Sequence, residues 1–235
     1  MIQATWRDWY DRWTLNYQTA QPSPLTKVKA PAGGNLHPSA TCNARAGLRP
    51  RETEDRAVLA AIVYDPGFPI DGLVLAIANS LRSEGAHLCG VVQENAGSAP
   101  CAAMTLIDLA TEERFSISQN LGATARGCRL DPRGLADVAA RLDAAACSDF
   151  DLLILNKFGK AEAEGNGLRS ALARAVASGR PVLSSVREPY LEAWSRFHGG
   201  LAVELPPRLD AVAAWCRRAM GTARLRRAEA TGFSA

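Results

Sequence analysis

Short apolar runs alternate along this chain with stretches whose apolar residues recur at helical spacing. Val58 to Asp65 (VLAAIVYD) reads as a buried strand, broken by Pro66, Gly67 and Pro69. From about Asp71 the apolar residues Val74, Ile77, Ala78 and Leu81 share one helical face, and Gly85 supplies a stop. HLCGVVQ is the next strand. MTLIDLATEERFSISQ alternates on both sides of ATEER, the pattern of an antiparallel hairpin. Asp131-Pro132 is an N-cap followed by proline at the first helical position, and Leu135, Val138, Ala139 and Leu142 form the stripe behind it. DLLILN, PVLSSV and LAVEL read as three more strands. The helices GLRSALARAVAS, EPYLEAWSRFHGG and PPRLDAVAAWCRRAM lie between or after them. Strands alternating with helices predict an α/β fold of three layers around a parallel or mostly parallel sheet, with the small β-hairpin as an insertion or edge.

The pattern starts only at Val58. Residues 1–57 include PSPLTKVKAPAGGNLHPSA, which has neither period, and are expected to be a disordered or linker extension. Residues 58–220 form the α/β domain, and 221–235 are expected to be a basic flexible tail. No apolar run is long enough to cross a membrane, and the N-terminus lacks a signal-peptide core, so the expected location is the cytoplasm. Six scattered cysteines form no CxxC pair and no zinc spacing, so no metal site is expected.

The net charge of +3 is a property of the ends. Residues 1–57 hold eight Lys and Arg against five Asp and Glu, and residues 217–235 hold five against one. That leaves 14 against 18 in the body. An acidic body argues against a nucleic-acid partner, which would need a basic face.

Candidate chemistry gathers after the strands, where open α/β sheets bind ligands. Asp65 and Gly67 follow the first strand, where a phosphate-binding loop would stand. Gly67 and Gly72 have the spacing of GxxxxGK[ST], but Leu73 and Val74 replace the lysine and the hydroxyl residue. In SQNLGATARGCRLD, the side chains of Ser118, Gln119 and Asn120 and the forks of Arg126 and Arg129 are suited to an oxyanion or a nucleobase edge. Gly127 lets backbone approach, and Cys128 lies among them. The competing reading is a loop that only caps the next helix through Asp131. After DLLIL stand Asn156, Lys157, Gly159, Lys160 and Glu162. The lysines suit an anion; Glu162 suits a cation or a positioned water. Arg187 and Tyr190 follow PVLSSV at the same edge, and Trp194 and His198 are placed to line the same cleft, though His198 also suits a helix end. No GxSxG elbow is present, so no Ser–His–Asp hydrolase is expected.

NKFGKAEAEG, SQNLGATARGCRLDP and REPYLEAWSRFHGG together resemble a bacterial family of unknown function, family 2478, over about Val58 to Met220. That family is distantly similar to P-loop nucleoside-triphosphatases of the thermophilic, cancer-related type. The resemblance implies a P-loop-NTPase-like fold with degenerate Walker motifs. The corresponding Walker B pattern is Asp-Glu-x-Gly-Lys-x-Glu; Gly159, Lys160 and Glu162 match it, whereas Asn156 and Lys157 replace its two acids. Phosphoryl transfer rests on positioning and charge neutralisation, so these replacements imply loss of the usual hydrolysis.

The resemblance further implies a molybdenum-related accessory role. The expected function is therefore non-hydrolysing binding of a small anionic ligand, an oxyanion (molybdate, tungstate or phosphate) or a nucleotide, with no catalytic residue. A transporter or cofactor-assembly protein is the expected partner. The alternatives are a nucleotide hydrolase with a remodelled metal site at Asp65 or Glu162, and a ligand-free interaction module docking through the helix around Trp194.

Overall fold

The computed structural model describes residues 57–96, 103–119, 130–145 and 149–232, all within the second of two compact units, residues 48–235. Apart from residue 57, the expected N-terminal extension lies outside the described residues. Seven strands form one sheet in the order β4–β3–β2–β5–β6–β1–β7. They are β1 (Leu59–Tyr64), β2 (Leu88–Ala96), β3 (Ala103–Asp108), β4 (Arg114–Ser116), β5 (Leu152–Phe158), β6 (Val182–Arg187) and β7 (Ala202–Leu205). β2, β5, β6, β1 and β7 are mutually parallel. β3 and β4 add an antiparallel hairpin at one edge, as the alternation predicts.

The helices are α1 (Ile70–Ser83), α2 (Pro132–Ala145), α3 (Lys160–Ala163), α4 (Arg169–Ala177), α5 (Leu191–His198) and α6 (Leu209–Gly232). Asp131 caps α2 by accepting the N–H of Arg133 at 3.0 Å. α5 ends on Gly199, whose φ of 55° is the left-handed turn a side chain would resist.

Strand alternation divides the core in two. Leu59, Ala61, Cys89, Val91, Leu153, Leu155, Val182 and Val186 pack with Leu135 and Val138 of α2, Leu172 of α4 and Trp194 of α5. Their neighbours Ala60, Ile62, Leu152, Ile154 and Leu183 are equally buried and turn to the other face, where α1 packs on α6. The chain moves across the sheet one way through α1 and the opposite way through α2, α4 and α5. Right-handed crossovers then require α1 on one face and the other three on the reverse.

Two expectations change here. The basic segment expected as a flexible tail is instead the last part of α6, which runs on to Gly232. Its guanidinium groups find carboxylates: Arg224 donates to both oxygens of Asp151, at 2.8 and 2.6 Å, and Arg217 to both of Glu84, at 2.8 and 2.7 Å. Trp194, expected in a cleft, is fully buried edge-on to Phe158 at 5.2 Å. It is therefore core, and the helix around it offers no indole for docking. His198 Nδ1 accepts the N–H groups of Gly200 and Ala202, at 3.0 and 3.4 Å, so this imidazole closes the end of α5. Among the described residues no helix is long and apolar enough to cross a membrane.

Candidate functional site

β1 and β6 are neighbours, yet the helices that follow them leave on opposite faces of the sheet. Such a divergence opens a crevice at the carboxyl ends of the two strands. Tyr64 ends β1 and pairs in register with Arg187, which ends β6.

Along the same edge stands Asp71, in the first turn of α1, whose partners come from β2 and β5. Its Oδ1 accepts Nδ2 of Asn156 at 2.8 Å and Nζ of Lys157 at 3.2 Å; its Oδ2 accepts Nδ2 of Asn95 at 2.6 Å. Asn156 is itself braced, because Oγ of the fully buried Ser185 donates to its Oδ1 at 2.7 Å. Strict alternation would send Asn156 and Lys157 to opposite faces. Both reach one carboxylate because the β5–β6 ladder loses its regular register between Leu155 and Phe158.

Beside this network the Tyr64 phenol is pushed up to about 12, first by burial and then by Asp71, with Arg187 pulling the other way. It therefore stays a neutral hydrogen-bonding group at any ordinary pH. Arg187 is exposed, lies 5.8 Å from the Tyr190 ring centroid, and makes no ion pair among the described residues. The loop ahead of α1 turns through Gly67 at φ 87°, and Asp65 and Gly67 are both exposed. Leu73 and Val74, expected where a phosphate loop would carry lysine and a hydroxyl residue, lie on the buried face of α1.

The residues that follow β5 do a different job. Glu162 is 5% exposed; one carboxylate oxygen accepts the N–H of Gly159 and the other that of Leu168, each at 3.0 Å. Both oxygens are thus spent on backbone, and the carboxylate is neither free for a cation nor placed to hold water. Gly167 leaves room for it: a Cβ there would lie 2.3 Å from Glu162 Oε1, and φ is +61°. Lys160 is exposed and meets Glu164 at 3.8 Å, one helical turn along. Lys157 and Lys160, three residues apart, therefore serve different carboxylates.

Ser118 is likewise occupied, accepting the N–H of Met104 at 2.5 Å and donating back to its carbonyl at 3.3 Å. It bridges to Leu130 and closes the base of the intervening loop. Asn120, Arg126, Gly127, Cys128 and Arg129 lie outside the described residues. Gln119 and Leu130, at the two ends of that loop, line a cavity of about 900 Å³ with Leu135, Ala139 and Lys160. The cavity lies on the α2 and α4 face, whereas Asp71 lies on the α1 side.

Of the residues expected from sequence, the structure brings Asn156 and Lys157 together at Asp71, and Arg187 and Tyr190 together near Tyr64. It adds Tyr64, Asp71, Asn95 and Ser185. Asp71 reads in the sequence as a helix-capping acid, and nothing local marks it as the point where β2 and β5 converge.

Part of this chain is 42% identical over 161 residues to the molybdenum import ATP-binding protein ModC 2 of Bradyrhizobium diazoefficiens. The match takes in 68% of this chain but only 18% of that protein. A solution structure of a human cancer-related nucleoside triphosphatase superposes with a TM-score of 0.47 at 17% identity, covering 63% of this chain and 88% of that one. A family model matches residues 59–215, from the first strand into the early part of α6, and so spans the whole sheet. The chain therefore belongs to the family described as "Protein of unknown function (DUF2478)".

Proposed function

We propose that this protein binds a small anion at the carboxyl edge of its sheet without hydrolysing nucleotide, and that it acts as a cytoplasmic accessory of molybdenum uptake or metabolism. The observation that carries this reading is the polar cluster at the carboxyl ends of β1, β5 and β6. There Lys157 stands against the half-buried carboxylate of Asp71, and the neutral phenol of Tyr64 lies in the field of both Asp71 and Arg187. A site with two cations, one resident anion and neutral hydrogen-bonding groups has a net attraction for a further anion.

Hydrolysis is disfavoured because Leu73 and Val74 point into the core and Asn156 donates to a carboxylate where a metal-holding acid would be needed. The identity to a protein named for molybdenum import makes molybdate or tungstate the leading guest and a transport component the leading partner. Because the match is 18% of that protein, its ATP-binding activity is not carried over with it.

Calorimetric titration and thermal shift with molybdate, tungstate, phosphate and Mg-ATP, together with a phosphate-release assay, test the reading. The expected result is stabilisation by an oxyanion, by about 2.7 kcal/mol at 100-fold excess over Kd, with no phosphate released. Arg187→Ala abolishes that gain and leaves the ligand-free melting temperature nearly unchanged, since the side chain is exposed. Phosphate release that depends on magnesium, or indifference to every anion, overturns it.

A further inference from the structure

We infer that Asp71 is a resident counter-ion that a guest must displace from Lys157, and that it thereby selects doubly charged tetrahedral anions over singly charged ones. The inference rests on the anion-binding reading above and says what sets its specificity.

Three side-chain donors from two strands converge on one carboxylate: Asn95 from β2, and Asn156 and Lys157 from β5. This is a preorganised anion receptor, because Ser185 braces the buried Asn156 and Gln93 braces Asn95. The bound anion is the protein's own. Its side chain is 17% exposed and that of Lys157 is 30% exposed, so solvent and solutes reach the pair. The contacts are also exchangeable. Each donor is a side-chain amide or ammonium that can turn to a new acceptor without breaking a helix or a strand. Glu162 is the contrary case, since its donors are backbone N–H groups of the turn itself.

Charge then decides which guests succeed. A monoanion offers Lys157 no more charge than Asp71 already does, and it loses the advantage of being tethered. A tetrahedral dianion carries twice the charge and four acceptor oxygens for Lys157, Asn156 and Asn95. Molybdate and perrhenate have the same shape and differ by one unit of charge, so they separate this effect from size.

The test is calorimetric titration of molybdate and perrhenate into the wild-type protein, Asp71→Asn, and Asp71→Asn combined with Lys157→Met, with circular dichroism melting of each. Removing the carboxylate is expected to tighten molybdate binding about tenfold or more, since it deletes a like charge at contact distance. The preference for molybdate over perrhenate should shrink in the same variant, and the added Lys157→Met should cancel the gain. If the wild type binds molybdate and Asp71→Asn binds it equally or more weakly, the inference falls while the anion-binding reading stands. A lower melting temperature with unchanged affinity has the same meaning: Asp71 is then a structural strut. Binding by neither protein overturns both. Should Asp71→Asn fail to fold, Asp71→Ser, which retains a neutral side-chain acceptor, carries the same comparison.

Discussion

Asp71 and Glu162 are both carboxylates near the carboxyl end of β5, both accept hydrogen bonds on each oxygen, and they do opposite kinds of work. Glu162 is bound by backbone N–H groups of Gly159 and Leu168, so it shapes the turn between β5 and α4. Asp71 is bound by the side chains of Asn95, Asn156 and Lys157, so on the proposal above it fills a receptor. A carboxylate that satisfies backbone donors cannot leave without orphaning them. One that satisfies side-chain donors can be replaced by a guest. The identity of the donors separates a structural acid from a functional one.

Stability should divide the two residues. Glu162→Ala leaves two N–H groups without an acceptor, one of them on the buried Leu168, and should cost about 3–5 kcal/mol by chemical denaturation. Gly167→Ala attacks the same turn from outside: its Cβ would lie 2.3 Å from the carboxylate in a left-handed backbone, for a loss of about 2–3 kcal/mol. If either variant is as stable as the wild type, the turn does not depend on Glu162 and the contrast dissolves. Asp71→Asn, by comparison, should change stability by no more than about 1 kcal/mol, because the amide keeps an acceptor for Lys157 or Asn156.

Asp151 is an intermediate case, sharing its oxygens between the Arg224 fork and the N–H of His87. Arg224 first, and the backbone bond after it, hold its carboxyl at about 2 against burial, well below the ordinary 3.8. A carboxyl depressed in the folded state stabilises fully above its ordinary value and loses that contribution as pH falls from about 4 to about 2. Arg224→Ala should therefore cost about 1–2 kcal/mol at pH 6, discounted because the guanidinium is more than half exposed. The gap between wild type and variant should close when the denaturant midpoint is followed down to pH 2. A gap that persists there assigns the loss to packing of α6 rather than to charge.

The order of elements was legible because periods of two and of 3.6 residues are local properties. β1 and β5 are read from unbroken apolar runs, and α2 from Asp131-Pro132 and the stripe behind it. The end of α6 was not legible. Arg224 and Arg227 resemble a solvated tail until the chain folds and places Asp151, 73 residues away from Arg224 in sequence, beside them. The meeting of Asn156 and Lys157 at one carboxylate was hidden for a related reason. It depends on a register irregularity in β5, and a shift of one position sends a side chain to the other face. Ser118 illustrates the converse: a hydroxyl that suits a ligand is spent on the backbone of a strand only pairing brings close.

Residue order alone determined the α/β architecture, the hairpin and the family, because each is written in neighbouring residues. Tertiary structure alone decided which polar groups at the sheet edge meet. Asp71, Asn95, Asn156 and Lys157 come from a helix and two strands spread over 86 residues, and only the crossover that sets β5 beside β2 closes them around one carboxylate. Hydrogen bonds reach about 3 Å, so such a meeting depends on where the backbone passes in space and not on spacing along the chain.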